Sequence, residues 1–252
     1  MDQFFPLLPT ILGCLIALIL AGVVKGVVSL GLPLTALPVL MLVVDVPAAI
    51  NLLAVPIVLS NLLQAFEGGG TRAMLRRFWL TMICLAVGTL VGTALFAVLD
   101  QKVLLLSIGS FAVFFAIIAL LQPHLVISPT AERWLGPPVG FISGVIGGMS
   151  ALFGPVLATY VVGLRLPPLL FVKAISILYV TAASMLLVGN IWQGTTGLRD
   201  IAISVLAMIP VYVGMLLGRR IRHRLDPEKF QLLVLLVVLV TGANMIRGGL
   251  GW

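Results

Sequence analysis

The chain has 252 residues, 61% of them hydrophobic and only 9% charged, with a formal net charge of +7. That composition lies outside the ordinary soluble range and places the chain in a lipid bilayer. The positive charge does not imply nucleic acid, because much of it sits in one run, Arg219 to Arg224, directly after an apolar span, as in a cytoplasmic loop.

In chain order, seven stretches approach or exceed the ~20 residues needed to cross ~30 Å of hydrocarbon. They are Leu7 to Val28, Ala48 to Phe66, Phe78 to Leu99, Val103 to Leu121, Leu169 to Val188, Ile201 to Leu217 and Phe230 to Ile246. The first is preceded by Asp2 and no basic residue, so it reads as a retained span and not as a secretory leader. Two further apolar segments are too short to cross. Leu32 to Val44, interrupted by Pro33 and Pro38, makes about 20 Å of helix, and Pro155 to Leu164 about 15 Å. Each follows a glycine-rich approach, Gly22 to Gly31 in one half and Gly140 to Gly154 in the other, and unwound turns are expected at Ser29 to Pro33 and Ser150 to Pro155.

The pattern runs twice. Gly88, Gly92, Leu99 and Asp100 recur at an offset of 126 as Gly214, Gly218, Leu225 and Asp226, and Pro33 recurs at an offset of 122 as Pro155. The loop after the second span, Glu67 to Arg77, carries Arg72, Arg76 and Arg77, whereas its counterpart, Gly189 to Asp200, has only Arg199. The next loops reverse the sense: Asp100 to Lys102 is poor in positive charge, and Arg219 to Lys229 is the most basic segment of the chain. Lys and Arg bias in short loops sets orientation. The expected fold is therefore an all-α polytopic membrane protein of two inverted-topology repeats. Each has four to five apolar segments, including a short Gly/Pro-broken half-helix. The repeats are residues 1–121 and 136–252, joined by a cytoplasmic linker, 122–135, with the basic loops 67–77 and 219–229 also cytoplasmic.

Chemistry is sparse. Only Cys14 and Cys84 occur, both in apolar segments, and His124 and His223 lie in loops without a neighbouring ligand, so no disulfide framework, metal or cofactor is expected. An intramembrane enzyme would need a nucleophile–base pair or a metal cluster at depth, and neither presents itself. Lys25 and Lys173 lie within spans, where a cation is a functional candidate, and no Asp or Glu does, which points to an anionic substrate. A half-helix beginning on glycine and proline leaves first-turn N–H groups that, with the helix dipole, favour an anion. Candidate substrate groups are Lys25, Ser29, Gly31, Thr35, Asn51 and Asn61 in the first half. In the second they are Gly148, Ser150, Gly154, Lys173 and Tyr179. Snorkelling of the lysines and interhelical hydrogen bonding by the polar residues are the structural alternatives. The rows Gly22/Gly26 and Gly140/Gly144/Gly148 also suit close helix contact, and Gly88/Gly92 and Gly214/Gly218 are assigned to contact alone. Tyr160, Trp192 and Trp252 are expected as interfacial anchors.

A glycine-rich segment followed by a short proline-started helix, twice over, resembles the sulfite exporter TauE/SafE family. The closest correspondence is Gly140 to Pro155 followed by Leu164-Arg-Leu-Pro-Pro168, with Gly31-Leu-Pro33 and Asp45-Val-Pro47 in the first half. The resemblance covers essentially the whole chain. It implies export of a small sulfur-containing or organic anion, such as sulfite or a sulfonate, across a bacterial inner membrane. A passive anion channel is the nearer alternative. The expected partners are the anion and the bilayer; a homo-oligomer is compatible with the sequence.

Overall fold

The computed structural model describes residues 7–28, 31–66, 69–121, 126–221 and 227–250. All its regular structure among these residues is α-helical: α1 Leu7–Val28, α2 Leu32–Leu40, α3 Val46–Phe66, α4 Thr71–Val98, α5 Gln101–Leu121, α6 Pro129–Ser150, α7 Gly154–Gly163, α8 Pro168–Trp192, α9 Leu198–Ile221 and α10 Pro227–Leu250. Five of them, within α1, α3, α4, α8 and α9, are long and apolar enough to span a membrane, and the chain is an all-α polytopic membrane protein. Large aliphatic side chains stand exposed along these helices, as at Ile83, Val87 and Val91 of α4 and Ile209, Val213 and Leu216 of α9, while glycines are buried. This inversion of the soluble pattern suits helices surrounded by lipid.

Local signals set several helix starts. Asp45 Oδ1 accepts the Ala48 N–H at 2.9 Å and caps α3. Ser128 Oγ accepts the Ala131 N–H at 3.2 Å, with Pro129 in the first turn, so α6 begins inside the expected 122–135 linker. α4 begins at Thr71, so Arg72, Arg76 and Arg77 lie in its first two turns and not in the connection. α9 begins at Leu198, with Asp200 in a first turn where the dipole favours it.

The helices form two compact units, neither of which follows one half of the sequence. The first comprises Met1–Pro56, Gln101–Leu120 and Leu198–Trp252. Its centre is the pair α1 and α9. A Cβ on Gly22 would collide with the Val211 carbonyl, on Gly26 with the Met215 carbonyl, on Gly214 with that of Ile19 and on Gly218 with that of Val23. The second unit comprises Ile57–Asp100 and Leu121–Gly197, and its centre is α4 against α6. There, Gly88 and Gly92 meet the carbonyls of Phe141 and Val145, while Gly140, Gly144 and Gly148 meet those of Thr81, Leu85 and Thr89. Residue numbers rise together along both seams, so each pair is parallel. The glycine-rich approaches are thus helical up to Val28 and Ser150, and in the second unit the break falls between Ser150 and Gly154. Main chain lies against main chain at these glycines, and a continuous helix keeps every carbonyl satisfied there.

The short helices fold back beside the helices that precede them. The Ile127 N–H donates to the Gly163 carbonyl at 2.8 Å, tying the exit of α7 to the approach of α6. In the first unit, Val43, just beyond α2, sits where a Cβ on Gly13 of α1 would be, 2.9 Å away. Neither short helix crosses on its own: α2 has 9 residues and α7 has 10, about 14 and 15 Å of rise.

The break at one proline is mended from outside its helix. Pro56 in α3 has no N–H to offer the Leu52 carbonyl. Ser204 of α9 donates to that carbonyl at 3.0 Å and accepts the Val55 N–H at 3.0 Å. Substituting Gly92→Val or Gly218→Val is expected to cost several kcal/mol, on the order of severe overpacking, and to abolish a monodisperse peak in detergent. Gly248→Ala, whose Cβ would meet nothing within 4 Å, is expected to elute and melt as the parent does.

Candidate functional site

Each unit carries one Gly/Pro turn. In the first unit, Gly31 caps α2 in a left-handed conformation, φ 89°, with Pro33 in the first turn. Ser29 lies outside the described residues. Thr35 turns its hydroxyl back onto the helix, donating to the Gly31 carbonyl at 2.9 Å, so this proton is used locally. Asn51 is buried in α3, and Lys25 is 1% exposed in α1, one residue before the Gly26 contact with α9.

The turn of the second unit runs from Ser150 to Gly154. Ser150 Oγ donates to the Ile146 carbonyl at 2.7 Å and accepts the Leu152 N–H at 3.1 Å. Ala151 is held at φ 57°, a left-handed conformation that costs a non-glycine residue on the order of 1 kcal/mol. Ala151, Leu152 and Phe153 are buried, while Gly154, the first residue of α7, keeps partial exposure. The Tyr179 hydroxyl, from α8, reaches this point: a Cβ on Gly154 would lie 2.6 Å from it. Tyr179 is 3% exposed, and its hydroxyl makes no hydrogen bond among the described residues. The structure thus places the Tyr179 hydroxyl beside Gly154, while Ser150 closes the bend four residues earlier. Gly148 is one turn earlier, where it carries the contact with α4.

Lys173 lies at a different place. Its side chain, 1% exposed, donates to the Gly69 carbonyl and stands 3.5 Å from the Thr71 hydroxyl. Thr71 in turn donates to the Ala65 carbonyl at 2.8 Å. The ammonium therefore binds the connection between α3 and α4. Asn61 donates to the Ile57 carbonyl at 2.7 Å within α3, and Gln64 accepts from Ser176 of α8 at 3.3 Å, a hydrogen bond between helices.

Tyr160 departs from its expected role as an interfacial anchor. It is buried, donates to the Glu132 carbonyl at 3.1 Å and meets Phe78 edge-on at 6.5 Å. Beside it Arg77 and Glu132 form a two-pronged ion pair at 2.6 Å, with the Arg77 guanidinium 5.6 Å from the centre of the Phe78 ring. Trp192, 82% exposed at the end of α8, has the exposure an anchor needs, and Trp252 lies outside the described residues. Two groups were invisible to the sequence reading. Ser143 Oγ and both side-chain amide atoms of Asn190 are buried without hydrogen-bond partners. Asn190 falls in a stretch read as a loop, Gly189 to Asp200, but α8 continues through Trp192 and buries it. Among the described residues no three His, Cys, Asp or Glu side chains gather as a metal site.

Lys173→Met is expected to lower the melting temperature by a few degrees, because it removes the charge-assisted hydrogen bond that ties α8 to the Gly69 carbonyl in the exposed turn before α4, worth about 1–2 kcal/mol. A thermal melt of the purified protein in detergent measures it.

Residues 14–245, nearly the whole chain, match the family model described as sulfite exporter TauE/SafE. No curated protein and no solved structure matches the chain.

Proposed function

The chain belongs to the sulfite exporter TauE/SafE family, and on that premise we propose that it exports a small anion across the bacterial inner membrane by alternating access. Sulfite, a sulfonate or a related organic anion is the cargo. The observation that most supports this reading is the start of α7, a helix N-terminus with a buried hydroxyl from Tyr179 aimed at it. Helix N-termini favour anions through their unpaired N–H groups and dipole. The start of α2, with Gly31 and Pro33, supplies a second such terminus, and Lys25 supplies positive charge in its unit. Apart from Asp200 in the first turn of α9, the spanning helices carry no acidic side chain to answer a cationic solute.

The two repeats have opposite topology in this reading, so the segments 67–77 and 219–229 face the cytoplasm together. That places an odd number of crossings in each repeat. With Cys14 and Cys84 replaced by serine, single cysteines at Arg72 and Arg220 are expected to react with an impermeant maleimide only in inside-out vesicles. Labelling of either from the periplasmic side would overturn the inverted arrangement.

Proteoliposomes loaded with sulfite or ethanesulfonate are expected to show saturable flux with counterflow, which a passive channel does not give. Lys25→Met is expected to reduce that flux at least tenfold, about 1.4 kcal/mol in the barrier. Unchanged flux removes Lys25 from the mechanism.

A further inference from the structure

We propose, resting on the anion-transport reading, that Tyr179 and the first turn of α7 form a binding site for a singly charged oxyanion of the sulfonate or bisulfite class, and that this site rejects doubly charged sulfate. The donors available there are few. Helix geometry leaves the N–H groups of Gly154 and Val156 without intrahelical partners. Pro155 has none to give, and the Leu152 N–H is taken by Ser150 Oγ at 3.1 Å. The Tyr179 hydroxyl adds one more, from a side chain that is 97% buried in sum and without a partner among the described residues (3% exposed). No hydrogen bond to this hydroxyl is seen among the described residues, and a ligand oxygen at Gly154 would supply its partner.

The charge available is also small. A helix terminus presents the equivalent of roughly half an elementary charge. Among the described residues of this unit, Lys173 is the one buried cation, and its ammonium is engaged with Gly69 and Thr71. Arg77 is paired with Glu132 and stacked on Phe78. The cost of taking an ion out of water rises with the square of its charge, so a dianion brought beside Leu152 and Phe153 would need a formal cation that the turn lacks. A monoanion needs only the dipole and a few donors. The hydroxyl also does what amide N–H groups cannot: it accepts a hydrogen bond from an anion that keeps a proton.

Binding calorimetry on the full-length protein in detergent, with ethanesulfonate, bisulfite and sulfate as probes, tests this. The parent is expected to bind ethanesulfonate at least tenfold more tightly than sulfate. Tyr179→Phe is expected to lose about tenfold or more in ethanesulfonate affinity with an unchanged melting temperature, while Tyr212→Phe, on an exposed face of α9, binds as the parent does. Should Tyr179→Phe melt early, Gly154→Ala, whose methyl would crowd the hydroxyl at 2.6 Å, is expected to show the same loss. Undiminished affinity in a folded Tyr179→Phe, or sulfate bound as tightly as ethanesulfonate, overturns the proposal while leaving anion transport intact. A parent that binds none of the three and moves none in proteoliposomes overturns the transport reading itself.

Discussion

Lipid tails are as apolar as leucine, so two helices in a bilayer gain little by hiding aliphatic side chains against each other. What holds α1 to α9 and α4 to α6 is the near approach of main chain to main chain, which only glycine permits at Gly22, Gly26, Gly214 and Gly218 and at Gly88, Gly92, Gly140, Gly144 and Gly148. Dispersion between closely fitted backbones then supplies the attraction that water would supply in a soluble protein. The rest of each unit depends on these seams. They fix where α6 ends, hence where the strained Ala151 turn falls, hence where α7 begins relative to Tyr179.

A second constraint follows from the same medium: no main-chain polar group can be left to solvent that is not there. The chain meets it with side chains that reach across. Ser204 completes the ladder that Pro56 interrupts, and Ser150 closes the bend before α7. Against that background of satisfied groups, the unpaired hydroxyl of Tyr179 beside a helix N-terminus is an exception with an orientation. Ser143 and Asn190 are exceptions too.

Of the seven expected spans, the five within α1, α3, α4, α8 and α9 have the length and hydropathy of a crossing among the described residues, because ~20-residue apolar length follows directly from bilayer thickness; the segments in α5 and α10 do not reach it there. The repeated glycines were legible as helix seams, since small residues four apart lie on one face. The state of the glycine-rich approaches was not, because glycine serves both an unwound turn and a close contact, and only the partner helix decides between them. Charge patterning likewise left Lys173 ambiguous: a buried cation announces a need for oxygen ligands without saying that they come from a turn about a hundred residues away in sequence. Tyr160 looked like an anchor from its residue type, and the Glu132 carbonyl that holds it inside belongs to a helix whose start lay within an expected linker.

The pairing of α1 with α9 and the mending of α3 by Ser204 have an outcome for biosynthesis. Helices enter the membrane in the order they leave the ribosome, so α3 must wait with the Leu52 carbonyl bare until Ser204 follows 152 residues later, and α1 waits with its glycine face uncovered until Val211 and Met215 of α9 arrive later still. The nascent first half is therefore an unfinished object in the bilayer, and chaperones or the insertion machinery have their strongest claim on it during that interval.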